Sequence, residues 1–208
     1  PTVILSDSVR VVPSWSIWAY SIAGSSPSEH GGSSCRSPVL VPGFRAAAMG
    51  LPSIPVKGML GSDLLTISEV VGSQTEIQDP FTGETMIAVR AIEPDVAVIH
   101  AQKADEYGNV RIEGPFYEDV IKAKAAKKVV VTVEEIISNR DIRKMPEATT
   151  IPHFIVDAVV ETPKGAYPCS CFNYYDADYD HIQAYLKAAA KDQFDQYLDN
   201  NVYGRVSA

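Results

Sequence analysis

A chain of 208 residues, 46% of them hydrophobic, is long enough for one ordinary globular domain with a single core. Its formal net charge of -8 opposes binding to a phosphate backbone, which depends on Lys and Arg neutralising phosphates, so no nucleic-acid partner is expected. No apolar run approaches the roughly 20 residues that span a bilayer, and the first residues lack the basic start and apolar core of a secretory signal. No membrane association is expected, and the chain reads as soluble and cytoplasmic.

Residues 1–42 form an atypical segment, of which Ser21 to Pro38 is rich in Ser, Gly and Pro without hydrophobic period and reads as loop or disorder. Little core packing is expected from it, including from Trp15, Ile17 and Trp18. From residue 43 onward the texture is that of a folded domain, 43–208. "FRAAAMG" suits a helical turn ending at Gly50, and the prolines of "LPSIPVKGML" confine that stretch to edge or extended structure. "DPFTGE" is a turn before the strand "ETMIAVRAI", Glu84 to Ile92.

"DVAVIHAQ" is a continuous β-rich run of the type buried on both faces of a sheet. "DEYGN" turns it into "VRIEG", with Asp105 and Asn109 as turn formers. "GPFYEDVIKAKAAK" is helical, with Glu118 four residues before Lys122, and "KVVVTV" is a second buried strand. At "TVEEIIS" the spacing of Thr132 and Glu135 predicts a capping box and a new helix. "FIVDAVVETP", Phe154 to Pro163, reads as a third strand, Ala166 to Tyr179 as an aromatic loop, and "DHIQAYLKAAAKDQFDQYLDN" as one or two amphipathic helices. Apolar strands alternating with helices predict an α/β layered domain with a largely parallel sheet.

In such sheets ligands collect beyond the carboxyl ends of the strands. Two segments fit that place. Gly61 and Ser62 in "MLGSDLL" would let backbone approach a substrate, or the segment is a plain turn with Asp63 as a helix cap. His100 and Gln102 at the end of "DVAVIHAQ" line a pocket or are satisfied structural residues. Glu134 is the acid candidate, against the simpler reading of a charge at a helix start. The aromatic loop packs on a partner or covers a ligand. The three cysteines, Cys35, Cys169 and Cys171, give no disulfide framework, and C-S-C lacks a second pair at metal spacing, so no metal is expected. G-x-S-x-G, the P-loop and G-x-G-x-x-G are all absent, so the sequence advertises no serine nucleophile or nucleotide site of its own.

Taken in order from about Phe44 to Gly204, "FRAAAMGLPSIPVKGMLGSDLL", "DPFTGE", "PDVAVIHAQKADEYGNVRIEGP", "AAKKVVVTVEEIIS", "IPHFIVDAVVETPKGAYPCSCFNYYDAD" and "FDQYLDNNVYG" resemble the A (alpha) chain of class I CoA-transferases of the glutaconate type. The resemblance implies a three-layer αβα fold with a parallel or mixed sheet, of the NagB/RpiA/CoA-transferase kind. It further implies pairing with a homologous B subunit in a hetero-oligomer that moves CoA between an acyl-CoA and a carboxylic acid, with coenzyme A as substrate and no cofactor. The nucleophilic glutamate of the family lies in an S-E-N-G-type motif of the B subunit, which this sequence does not contain, so no catalytic residue beyond Glu134 is expected here. Gly61, Ser62, Asp63, His100 and Gln102 would be substrate-binding, and Phe172 to Tyr175 part of the partner surface. Relative to the family the chain departs at both ends, lacking the first strands and Gly-rich loop and stopping early. A ring-opening CoA-thioester hydrolase component and a degenerate, partner-binding fragment are the alternative readings.

Overall fold

The computed structural model describes residues 37–63, 65, 72–115, 118–190 and 193–203. They fall into two compact units, 37–97 with 118–129 and 98–115 with 130–203. Trp15, Ile17, Trp18 and Cys35 lie outside the described residues.

In the first unit, helix α1 (Ser37–Ala48) takes in residues that read as unpatterned loop. Pro42 sits inside it and removes one ladder donor, yet Val39, Phe44 and Ala46 are buried, so packing of the apolar face outweighs the cost of the proline. The helix ends as expected at Gly50, whose φ of 69° closes a pair of bonds from Gly50 N–H to Ala47 O (2.9 Å) and from Leu51 N–H to Ala46 O (2.9 Å). Strands β1 (Ser53–Val56), β2 (Gln74–Gln78) and β3 (Thr85–Arg90) form an antiparallel sheet in the order β1-β3-β2, which places the proline-bearing β1 at an edge. Ile87 and Val89 of the central strand meet Val39 of α1 in a core that Ile54, Val56, Met59 and Leu65 complete. The β2–β3 turn is built by the Asp79 carboxylate, which accepts from Phe81 N–H (2.9 Å) and Thr82 N–H (2.8 Å). Helix α2 (Asp119–Ala125) packs on α1 through a small-residue face containing the buried Ala123 and Ala125.

In the second unit the sheet runs β5-β4-β6-β7, with β4 (Val96–Asp105), β5 (Val110–Arg111), β6 (Lys128–Ile137) and β7 (Ala158–Glu161). β4 and β5 are antiparallel and β6 and β7 parallel, which makes the sheet mixed. Period-two alternation puts Ile99, Ala101, Val131 and Val133 on apolar faces and His100, Gln102, Thr132 and Glu134 on the opposite faces of the same strands.

Two expectations change here. The helix predicted from Thr132 does not form: β6 runs unbroken to Ile137, because a β-branched run paired with β7 overrides a capping spacing that coincides with it. The real cap lies later, at α3 (Asn139–Lys144), where Ser138 Oγ accepts from Asp141 N–H (3.2 Å). The third strand is also shorter than Phe154 to Pro163. Residues His153–Ile155 make a 3-10 turn with Phe154 largely exposed, and only Ala158–Glu161 pairs. The C-terminal run gives two helices, α4 (Tyr179–Ala190) and α5 (Phe194–Leu198), followed by a π-type turn, Asp199–Tyr203.

Asp105 explains why the β4–β5 turn is so well determined. Its side chain is fully buried and accepts from Tyr107 N–H (3.1 Å), Asn109 N–H (2.8 Å), Asn109 Nδ2 (2.8 Å) and Asn139 Nδ2 (2.6 Å). Burial by itself would raise its carboxyl, but the Asn139 and Asn109 amides and the two N–H groups outweigh burial and hold it below the usual range. A carboxylate with a depressed folded pKa stabilises above its unfolded value, 3.8, and loses that contribution as pH falls below it. Asp105→Ala is expected to cost about 3 kcal/mol in urea unfolding at neutral pH, since it strands four donors. The deficit should narrow in acid.

Candidate functional site

The carboxyl-side halves of β4 and β6 carry the polar residues that the second unit buries. Glu134 points inward from β6, with its side chain 3% exposed. Its Oε1 accepts from Tyr175 O–H (2.6 Å) and from His100 Nε2 (2.8 Å), and its Oε2 accepts from Lys164 N–H (2.7 Å). The other ring nitrogen, His100 Nδ1, lies 2.9 Å from Thr132 Oγ1, and that hydroxyl is 3.5 Å from Ile99 O. Alternation within each strand is what brings these groups together, since residues 100 and 102 share one face of β4 and residues 132 and 134 one face of β6.

The lid on the cluster is the loop after β7. Cys171 and Tyr175 are tied by reciprocal backbone bonds (2.9 and 3.0 Å), so the thiol of Cys171 and the hydroxyl of Tyr175 are presented together. The Tyr175 oxygen also accepts from Ala166 N–H (3.0 Å). Gly165 is required by close approach: a Cβ there would stand 2.6 Å from His100 Cε1. Gln102 Oε1 accepts from Glu113 N–H (2.9 Å), and its side chain also bonds the Cys171 thiol. Glu113 holds Lys103 Nζ (2.7 Å) and Asn173 Nδ2 (3.1 Å) at the rim. Phe172 and Tyr174 at the loop tip are exposed, whereas Tyr175 folds back onto Glu134.

The electrostatics follow from burial and donors. Burial alone would raise the Glu134 carboxyl; Tyr175 O–H, Lys164 N–H and His100 more than offset this and hold it below its ordinary range. Burial pushes the Cys171 thiol up to about 11, with the charges of Glu134 and Glu113 adding to it. Burial, then the bond to Glu134, likewise raises the Tyr175 phenol.

Glu134 therefore does not stand at a helix start, the simpler reading of its sequence position, but in the middle of a hydrogen-bonded, water-poor cluster. The structure brings it together with His100 and Gln102. Gly61, Ser62 and Asp63 lie in the first unit, in an exposed turn where Gly61 has a φ of 73° and Met59 one of 76°. Ser62 closes that turn on Met59 O through its N–H (3.0 Å) and its hydroxyl (2.7 Å). Residues 66–71 fall outside the described set, so the helix that Asp63 is expected to cap does too. No sequence pattern marks Thr132, Cys171 or Tyr175 as site residues. The only signal for the last two is the aromatic loop itself.

A family model for coenzyme A transferase matches residues 37–162, more than half of the chain. The chain belongs to the coenzyme A transferase family. It is 40% identical to the A subunit of glutaconate CoA-transferase from Acidaminococcus fermentans, over 77% of this chain and 54% of that relative. It is 36% identical to the A subunit of 3-oxoadipate CoA-transferase from Pseudomonas knackmussii, over 77% and 56%. It is also 30% identical to the Mycobacterium tuberculosis cholesterol ring-cleaving hydrolase IpdA subunit, over 71% and 53%. The crystal structure of glutaconate CoA-transferase superimposes with a TM-score of 0.76, covering 80% of this chain and 57% of that one. The mixed α/β fold is thus the CoA-transferase fold expected from the sequence, and the chain spans about half the length of these curated relatives. No helix among the described residues is long and apolar enough to cross a membrane.

Because Glu134 has a depressed pKa, its stabilisation is complete above its ordinary value of 4.5 and declines as pH falls below it. Glu134→Gln replaces one acceptor oxygen by a donor among three donors and is expected to lower unfolding stability by about 2–3 kcal/mol at neutral pH. Tyr175→Phe, which leaves two donors in place, should cost about 1 kcal/mol. Urea unfolding at pH 7 and pH 4 checks both, with the Glu134→Gln deficit shrinking at the lower pH.

Proposed function

We infer that the chain is part of the A component of a two-component CoA-transferase that moves CoA between an acyl-CoA and a carboxylic acid, with the nucleophilic glutamate on a homologous B subunit. The observation that carries this reading is the state of the chain's own buried carboxylates. In the covalent route a carboxylate attacks the thioester carbonyl, CoA thiolate leaves, and the acyl-glutamyl anhydride is then opened by that thiolate to give a glutamyl-CoA thioester. Such a carboxylate needs access to the thioester and few hydrogen bonds stabilising the charge it must give up. Glu134 has both oxygens engaged by three donors beneath a loop, and Asp105 is held by four. Similarity to the corresponding components of two CoA-transferases supports the same division of labour.

In this reading the exposed turn of Gly61, Ser62 and Asp63 lines the acyl pocket, where left-handed backbone at Met59 and Gly61 opens peptide groups to a ligand. His100 and Gln102 act at one remove, holding the loop that carries Cys171 and Tyr175. Phe172 and Tyr174 belong to the surface facing the B subunit. The two free thiols among the described residues, Cys169 and Cys171, fit a cytoplasmic enzyme. A second reading, a CoA-thioester hydrolase in which water replaces the acceptor acid, is supported by the similarity to the ring-cleaving hydrolase.

Incubation with acyl-CoA followed by borohydride, which reduces an enzyme-bound glutamyl-CoA thioester, tests the assignment. The isolated chain is expected to stay unlabelled, and the complex with its B subunit to be labelled on that partner. Labelling of the isolated chain that Glu134→Gln abolishes would overturn it. In the same complex Ser62→Leu is expected to lower kcat/KM at least about tenfold, through acyl binding. Acyl transfer to an added carboxylate, against CoA release to water alone, separates transferase from hydrolase.

A further inference from the structure

The buried cluster contains one group that its hydrogen bonding does not need. A His–Glu–Tyr network is complete without a thiol, and sulfur is a weak hydrogen-bond partner, yet Cys171 is packed into it. The ligand atoms of His100, Glu134 and Cys171, one from each residue, all lie within 4.8 Å of one another. Nitrogen, oxygen and sulfur donors converging from three separate segments are the donor set of a thiophilic divalent cation such as zinc.

We propose that His100, Glu134 and Cys171 form a binding site for a divalent cation of the zinc class. The surrounding contacts have the form of a ligand-orienting shell. Thr132 Oγ1 stands at 2.9 Å from His100 Nδ1, so it accepts the proton of the tautomer that leaves Nε2 free for the ion, and Thr132 directs its own hydroxyl proton towards Ile99 O. Glu134 keeps Lys164 N–H on Oε2 and Tyr175 O–H on Oε1, which fixes the carboxylate while an oxygen lone pair turns to the ion. The side chain of Gln102 reaches the sulfur.

The hydrated ion sheds water to take three protein ligands and keeps one water in the fourth tetrahedral position, so the step balances without any further co-reactant. The thiol of Cys171 loses its proton to solvent and its sulfur binds the ion. A neutral His100 keeps its single proton, moved from Nε2 to Nδ1, and Nε2 binds. One divalent charge then meets the charges of Glu134 and the new thiolate, so a buried anionic cluster becomes neutral. The geometric demand is small. Ligands bonded at about 2.0–2.3 Å around a tetrahedral ion stand about 3.3–3.8 Å apart, so His100 Nε2 and Glu134 Oε1 part by about half an ångström while Sγ closes on them. Cys171 lies in a loop turn and not in the sheet, so the adjustment falls on that side chain and not on the paired strands.

Cobalt(II) is the probe, on the full chain with Cys35→Ser and Cys169→Ser so that Cys171 is the remaining thiol of the three. Expected are a thiolate-to-cobalt charge-transfer band in the near ultraviolet and the visible bands of tetrahedral cobalt, both bleached by zinc. Cys171→Ser should abolish the charge-transfer band with an unchanged circular dichroism spectrum. Thr132→Val, which keeps the shape and removes the acceptor for His100 Nδ1–H, should weaken cobalt binding about 10–100-fold. Absence of the band in the single-thiol chain, its persistence in Cys171→Ser, or unaltered affinity in Thr132→Val would each overturn the site. The measurement needs neither acyl-CoA nor a partner chain, so its failure leaves the transferase reading untouched.

Discussion

Placing the carboxylate of Glu134 inside the second unit is the constraint on which the rest of that unit depends. Removing an ion from water costs several kcal/mol even after relaxation, and only good geometry and a full set of donors offset it. Those donors come from β4, from the backbone after β7 and from the far end of the loop. The loop is thereby held at Lys164 and again at Tyr175. The register of β6 is fixed by the same demand: a slip by one residue would turn Glu134 onto the apolar face that buries Val131 and Val133, and would put Glu135, now exposed, on the face of the cluster.

What such an arrangement can do chemically is narrow. Donors that stabilise the anion lower its basicity and its nucleophilicity, because a new bond to carbon or hydrogen consumes the charge that they stabilise. The Cys171 thiol is restrained in the opposite sense, kept protonated by burial and by neighbouring negative charge. Both restraints would be relaxed by the same event, the arrival of a positive charge. The same low-dielectric setting that restrains both groups leaves their donor set suited to a cation.

The parts of this fold that are legible in the sequence are those whose local chemistry and tertiary role agree. The turn at Asp105 and Asn109 is readable because its side chains bond their own backbone, and β3, β4 and β6 because β-branched runs leave little else. β2 escapes notice since Q-T-E-I-Q buries one end residue and has no apolar alternation. Thr132 mimics a helix cap because its spacing to Glu135 satisfies a local rule, whereas its hydroxyl is used by a histidine 32 residues away. The cluster as a whole is hidden for the same reason: contacts between His100, Glu134 and Tyr175 depend on strand order, which no local pattern carries.

The turn at Met59–Ser62 shows the complementary device in the first unit. A non-glycine residue in the left-handed region costs of order 1–3 kcal/mol and persists only where the surroundings over-determine it. Met59 is over-determined from two sides. Its side chain is packed against the core of Val39, Ile87 and Val89, and its carbonyl receives both the N–H and the hydroxyl of Ser62. The shape of the turn is therefore set by the apolar core beneath it and not by its own flexibility. Among the described residues, no heavy atom comes within 4 Å of where a Cβ at Gly61 would stand. A backbone surface fixed in this way loses little entropy on meeting any partner group.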